Sequence, residues 1–286
     1  MKILSIDVGM KCLAYCVLNV IYDPLKESND YEYNIIKWGI LDLCGNKKHD
    51  CCGKTKKNRK CEKNPKYYKN SQYFCKIHAK SQSYKIPANE LKAAHIKKLK
   101  LIELKELYTR YNISNGGLTK KLKKTEYQDI ILKEIDKSYL NFVPTIKTNS
   151  INLATYGYRL KVGFEELFKD YNIDRVIIEN QIGPLALRMK TLQGMIMQHF
   201  IEKNCAVIEE ISAANKLKEY IPKKKKTKYA ERKKLGILIT KKKLNDSIFL
   251  HKWLPTFLEH KKKDDLADSF LQGLWYIKHN NLVNAT

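Results

Sequence analysis

The chain has 286 residues, 43% of them hydrophobic, enough for one large globular domain or a core domain with insertions. Its 55 Lys and Arg against 30 Asp and Glu give a net charge of +25, which points to a polyanionic partner, most often nucleic acid; a generally lysine-rich proteome, suggested by the AT-rich coding that abundant Lys, Asn, Ile and Tyr imply, explains part of that charge. No apolar run approaches the length of a membrane span, and the first residues read as a strand, not a signal peptide, so an intracellular, non-secreted protein is expected. Eight cysteines in such a chain favour metal binding over disulfides.

The opening stretch KILSIDVGMKCLAYCVL predicts a short buried strand through Ile3, Leu4 and Ile6, with Asp7 at its end and Gly9 allowing a tight turn. A carboxylate there suits a metal or phosphate site; capping the turn is the plainer role. Cys12–Val20 and Tyr33–Leu43 supply second and third strands of an antiparallel meander. Composition then changes. Cys44–Lys80 carries twelve Lys and Arg against two acids and five cysteines, with too few aliphatic residues for a core of its own. The Cys75-x-x-His78 knuckle, joined by Cys61 and by Cys51 or Cys52, offers four zinc ligands. The segment resembles small Cys3His zinc modules that open C-x-G-K-T-K-K. That resemblance selects Cys51, giving structural Zn2+ on Cys51, Cys61, Cys75 and His78. Cys12, Cys16 and Cys205 lie in apolar strands and read as core.

Beyond Pro87, Ile102–Tyr111 and Thr125–Ile135 read as two amphipathic helices around a glycine-containing break at Asn112–Gly117. This pattern resembles the SAP motif, a small helix-turn-helix DNA-binding unit; a plain helical hairpin is the alternative. Ile151–Tyr171 is a strongly periodic helix leading into Arg175–Glu179, an apolar strand buried on both faces that ends in a second carboxylate. A helix over Leu185–Lys203 and a fifth strand over Cys205–Ile211 follow. Residues 216–243 hold thirteen Lys and Arg against two acids, including the run Lys223, Lys224 and Lys225; the run reads as a phosphate-contacting surface, a solvated face or a nuclear-import signal. Lys263–His279 is the last helix, with Asp265 and Asp268 one turn apart near its start.

Three distant segments thus bring carboxylates to element ends: Asp7, Glu179, and Asp265 with Asp268. Oxygen ligands of this kind select Mg2+ or Mn2+, and two such ions about 3.5–4 Å apart can activate water and stabilise the leaving oxygen of a phosphodiester. Favouring the helix N-terminus would explain the last pair alone.

The order of strand with Asp-x-Gly, meander, helix, strand with Glu, helix, strand, and helix with Asp-x-x-Asp resembles the RNase H-like superfamily. Within it, IDVGMKCLAY, VIIENQ, LALRMKTLQG, EISAANKLKEY and KKDDLADS resemble RuvC-type Holliday-junction resolvases of the poxvirus and fungal mitochondrial branch. The resemblance implies an α/β fold, with a five-stranded mixed sheet flanked by helices over residues 1–43 and 150–286. It leaves a zinc module (44–84) and a helical insertion (88–140) as additions to the minimal fold. It also implies two Mg2+ (or Mn2+) on Asp7, Glu179, Asp265 and Asp268 as catalytic carboxylates, with Asp264 able to share the role of Asp265. The expected activity is paired symmetric nicking of four-way DNA junctions by a homodimer, with Leu185–Lys203 as a dimer surface, in recombination or replication-intermediate processing. Lys216, Lys218, Lys223, Lys224, Lys225, Lys261, Lys262 and Lys263, with lysines of 47–80, would hold DNA phosphates. The insertions suggest a large DNA virus, placing the protein in the cytoplasm or nucleus of a host cell. The alternatives are another RuvC-like nuclease, transposon-related or RNA-guided, and a non-catalytic DNA-binding protein. A sugar-kinase-like ATPase is disfavoured by the lack of a glycine-rich phosphate loop after the second strand.

Overall fold

The structure is a computed structural model that describes residues 1–21, 31–45, 49–113, 122–144, 146–183, 186–222, 227–280 and 282. It forms two compact units, Met1–Asn46 with Ile146–Thr286, and Lys47–Thr145. In chain order the strands are β1 (Lys2–Asp7), β2 (Cys12–Ile21), β3 (Glu32–Asp42), β4 (Cys51–Lys54), β5 (Lys60–Cys61), β6 (Tyr67–Lys69), β7 (Gln72–Phe74), β8 (Asn141–Phe142), β9 (Arg175–Glu179) and β10 (Val207–Ile211). The helices are α1 (Ala93–Ile96), α2 (Leu101–Arg110), α3 (Lys124–Ser138), α4 (Leu153–Phe168), α5 (Leu187–Glu202), α6 (Tyr229–Asp246), α7 (Ile248–His251), α8 (Leu254–Glu259) and α9 (Lys263–His279).

The first unit is built on a mixed five-stranded sheet ordered β10-β9-β1-β2-β3. β1, β2 and β3 run antiparallel as a meander, and β9 pairs parallel with both β1 and β10. This is the expected five-stranded mixed sheet of an α/β fold. The apolar run of β9 explains its central place: Ile177 faces one core, while Val176 and Ile178 face the other, and all three are fully buried. On one face α4 and α5 bring Tyr156, Leu160, Phe164, Leu192, Ile196 and Phe200. On the other, Phe270 and Leu274 of α9 pack with Leu244 of α6 and Phe257 of α8. Trp38 of β3 stacks on Phe257 at 5.5 Å and donates its indole N–H to the Leu266 carbonyl at 3.1 Å, locking α9 to the sheet.

The basic run at 216–243 differs most from its reading as a surface stretch. Residues 229–246 form α6, which buries Gly236, Thr240 and Leu244 and packs on α9. β10 begins at Val207, not at Cys205, because Asn204 takes a positive φ of 56° and the Cys205 amide donates to the Phe200 carbonyl, closing α5.

The second unit holds a two-stranded hairpin, β4–β5, and a three-stranded sheet ordered β7-β6-β8. α2 and α3 form a helical pair with their own core of Leu104, Leu107, Ile131 and Ile135. β8 follows α3 directly and pairs with β6, Tyr67 opposite Phe142. The cysteine-rich stretch and the helices therefore share one sheet. Most of the break between the two helices falls outside the described residues.

Candidate active site and metal centre

The parallel register of β1 and β9 sets Ile6 beside Ile178, so Asp7 and Glu179 emerge side by side at the strand ends. α9 delivers the remaining acids. Gln272, fully buried, donates its amide to the Ile6 carbonyl at 3.2 Å and lies within 3.4 Å of the Ile177 carbonyl. One turn before it on the same face stands Asp268, aimed over the strand ends. Gly273 permits the close approach: a Cβ there would lie 2.5 Å from Leu18 Cδ1 and 3.4 Å from Ser5 Cβ.

Two ammonium groups sit among these carboxylates. Lys216 Nζ donates to Glu179 Oε2 at 2.8 Å and to Asp7 Oδ1 at 3.0 Å, and lies 3.6 Å from Asp268 Oδ2. Lys233 Nζ donates to Asp268 Oδ2 at 2.8 Å and lies 3.6 Å from both Asp264 and Asp265. The expectation of Lys216 as a surface phosphate ligand is thereby corrected. It is 6% exposed, because a short turn at Ala213–Leu217 after β10 carries it over the strand ends into the carboxylates. Lys233, one turn into α6, was not singled out by sequence. A lysine inside a basic run carries no mark of burial.

Burial raises the Glu179 carboxyl, and its hydrogen bond with Asp7 adds to this, bringing it to about 8. Burial also works against charge on Asp7, but the Lys216 ammonium overrides it and holds Asp7 at about 2. Asp265 is raised by burial and by Asp264. Burial disfavours the Lys216 ammonium, yet Asp7, Asp268 and Glu179 hold it protonated well above an ordinary lysine. Lys233 behaves likewise, chiefly through Asp268.

The structure thus brings Asp7, Glu179 and Asp268 together around Lys216, with Asp265 linked through Lys233 and Asp264 more exposed at the edge. A cleft of about 890 Å³ opens over them, its basic rim including Lys11, Lys218, Arg232 and Lys262. Lys218 and Lys261 are exposed. Lys262 pairs with Asp265 at 3.4 Å, and half-buried Lys263 donates to the His260 carbonyl at 3.0 Å. Lys223, Lys224 and Lys225 lie outside the described residues.

In the second unit, one donor atom from each of Cys51, Cys61, Cys75 and His78 falls within 4.8 Å of the others. Cys51 faces inward, opposite Cys61 across the β4–β5 pair, whereas its neighbour Cys52 is exposed and accepts from the Tyr73 amide at 3.3 Å. Strand alternation separates the two thiols. The His78 tautomer follows from its partners. Nε2 lies 2.8 Å from the Lys54 carbonyl, which can only accept, so Nε2 donates and Nδ1 is left bare. Nδ1 faces Cys51 Sγ at 3.2 Å and Cys75 Sγ at 3.5 Å. Three thiols and one bare imidazole nitrogen form a donor set suited to tetrahedral Zn2+.

Comparison with known proteins finds similarity over part of the chain and a similar protein over most of it. Residues 3–85 match the family model described as mitochondrial resolvase Ydc2 / RNA splicing MRS1. An uncharacterised protein, L451, of Acanthamoeba polyphaga mimivirus is 29% identical over 320 aligned positions, covering 97% of this chain and 75% of that protein. Similar solved structures include the yeast mitochondrial Holliday junction resolvase Ydc2 (13% identity, TM-score 0.42, 96% of this chain and 78% of that one). Others are the fowlpox virus resolvase in complex with Holliday junction DNA (15%, TM-score 0.39, 97% of each) and Thermus thermophilus RuvC (7%, TM-score 0.38, 98% of each). The family match thus spans residues 3–85, which include the β1–β3 meander, Asp7 and the Cys51–His78 cluster, and leaves residues 86–286 outside it.

Proposed function

We propose that the protein is a divalent-metal-dependent endonuclease that resolves four-way DNA junctions. The meeting of Asp7, Glu179 and Asp268 around one buried ammonium, in a chain of net charge +25, carries this reading. Such a cluster is built to surround positive charge, and its oxygen-only donors fit Mg2+ or Mn2+. Asp7, Glu179, Asp265 and Asp268 would hold two ions, which when bound supply charge stabilisation at the phosphate and activation of water. Asp7 and Glu179 then orient the ligand oxygens from the rigid strand ends. Gln272 holds α9, and with it Asp265 and Asp268, at a fixed distance from β1. Lys218, Arg232 and Lys262 on the rim hold flanking phosphates. Zn2+ on Cys51, Cys61, Cys75 and His78 is structural.

Paired nicks require two such sites, hence a homodimer. Exposed Tyr158 and Val162, one turn apart on α4, and Ile201 on α5 offer apolar surface for it. The matched family joins resolvases with an RNA-splicing member, and an RNA-binding role is the second reading. The carboxylate cluster favours cleavage, since nucleic-acid binding alone would gain nothing from concentrating acids under a basic rim.

The test is cleavage of a labelled four-way junction against linear duplex, fork and RNA–DNA hybrid, with Mg2+ and with EDTA. Paired symmetric nicks confined to the junction, lost in Asp7→Asn while junction binding persists, are expected. Equal cutting of hybrid or single strands would move the function to another RuvC-like nuclease. Binding without cutting in any metal would leave a non-catalytic protein.

A further inference from the structure

The β4–β5 hairpin carries Lys54, Lys56, Lys57, Arg59 and Lys60, five cations in seven residues, and all of them are exposed. No carboxylate among the described residues forms an ion pair with any of the five; the nearest acids in sequence, Asp50 and Glu62, lie outside the hairpin on either side. Lys54 and Lys60 are direct cross-strand partners, an arrangement of like charges that opposes pairing.

The turn is nevertheless closed. The Thr55 amide donates to the Arg59 carbonyl at 2.8 Å, the Asn58 amide to the Thr55 carbonyl at 2.9 Å, and the Arg59 amide to Thr55 Oγ1 at 3.2 Å. Asn58 takes the positive φ of 57° that this turn needs. Two features hold the base of the hairpin against repulsion. Cys51 and Cys61, both in the zinc donor set, face each other across the strands. His78, a third donor, grips the first cation-bearing residue by donating Nε2–H to the Lys54 carbonyl, its ring lying so tightly on Gly53 that no side chain could intervene. The metal donors and the charged turn are thus one mechanical piece.

A protein that concentrates uncompensated positive charge on a short, braced turn loses stability unless a polyanion meets it. We infer that Lys54–Lys60 is a docking element for the phosphodiester backbone of nucleic acid, duplex DNA in the first instance, and that its grip depends on zinc at Cys51, Cys61, Cys75 and His78. The choice of DNA rests on the endonuclease reading; the charge argument does not.

The test uses the full chain and fluorescence anisotropy of a labelled DNA duplex, with a duplex RNA arm, titrated with salt in the absence of Mg2+. In the variant K56Q/K57Q/R59Q, zinc content should match wild type. The slope of log affinity against log salt should fall by about 1–3, and affinity at 0.1 M salt by about tenfold to about 500-fold, as expected for one to three lost phosphate contacts. Cys61→Ser should lose zinc and approach the same weakened binding, and adding it to the triple variant should cost little more. A triple variant with the wild-type slope would overturn the docking element. Cys61→Ser that loses zinc yet binds as wild type would overturn the dependence on metal. Equal losses on RNA and DNA would assign the element to the shared backbone. Wild-type junction cleavage is scored separately: its absence removes the endonuclease reading and leaves the slope difference standing.

Discussion

Gly273→Ala tests whether the packing of α9 sets the geometry of the proposed active site. The added methyl would lie 2.5 Å from Leu18 Cδ1, against an ordinary carbon contact of about 3.5–4.0 Å, so about 1 Å must be found. Leu18 is fully buried in the sheet and has little room to yield. Overpacking of this size costs about 1–3 kcal/mol. Replacing a helical glycine returns about 1 kcal/mol, leaving a net loss of about 0–2 kcal/mol. The catalytic effect should be larger in proportion. If α9 lifts from β1 to make room, Asp265 and Asp268 move with it away from Asp7 and Glu179, and a displacement of about 1 Å in such a site can cost about a hundredfold. Urea unfolding and single-turnover junction cleavage measure the two effects. Leu18→Ala supplies the control, since it removes the obstructing methyl; in that background Gly273→Ala should cost little in either assay, giving a clear coupling energy. A Gly273→Ala protein that unfolds and cleaves as wild type, or one whose defects persist unchanged in the Leu18→Ala background, would refute this account.

Three further outcomes are expected. Lys216→Met leaves Asp7, Glu179 and Asp268 facing one another without their buried cation; stability without Mg2+ should drop by about 3–5 kcal/mol, and millimolar Mg2+ should restore more in the variant than it adds to wild type, read from urea midpoints. Glu179 is raised from 4.5 to about 8, so the folded state binds its proton more tightly; without Mg2+ this group's contribution is full below about pH 4.5 and is lost as pH rises to about 8. The limit is about 1.4 kcal/mol per pH unit. Asp7, lowered from 3.8 to about 2, acts in the opposite sense, stabilising above 3.8 and losing that stabilisation as pH falls through 2. The falling limb above pH 4.5 should vanish in Glu179→Gln, and an unchanged limb would show that another group produces it. Gly53→Ala drives a methyl into the His78 ring, so zinc per chain should fall well below that of wild type by elemental analysis, with the first unit still folded.

The sheet and its carboxylates were legible because strand ends announce themselves: an apolar run that stops at a charge, as in KILSID and RVIIE, is most simply a buried strand reaching the edge of its core. The parallel pairing that sets Asp7 beside Glu179 then follows from burial of β9 on both faces. The choice between Cys51 and Cys52 was not legible from spacing alone; in the structure strand pleating turns Cys51 toward Cys61 and leaves Cys52 exposed, which favours the Cys51 set that the resemblance to zinc modules implied. α6 was hidden because its thirteen-cation neighbourhood masks a thin apolar stripe of Gly236, Thr240 and Leu244. Lys216 was noted only as a phosphate ligand and Lys233 was not singled out, because a lysine in a basic run carries no mark of burial. Position in a tertiary cluster, which no local pattern encodes, makes them part of the site.

The second unit interrupts the first between β3 and α4, and the contact of Tyr67 with Phe142 has a kinetic meaning. The meander is synthesised first, and residues 43–174 follow before β9 and β10. Closing so long a loop is entropically slow, but the β6–β8 pair short-circuits more than half of it, leaving only residues 43–66 and 143–174 to be closed. By loop-closure scaling this saves about 1 kcal/mol when the catalytic sheet assembles. If zinc at Cys51, Cys61, Cys75 and His78 steadies the unit that holds the β6–β8 pair, metal supply during synthesis would set how fast the first unit matures, although no donor belongs to that unit.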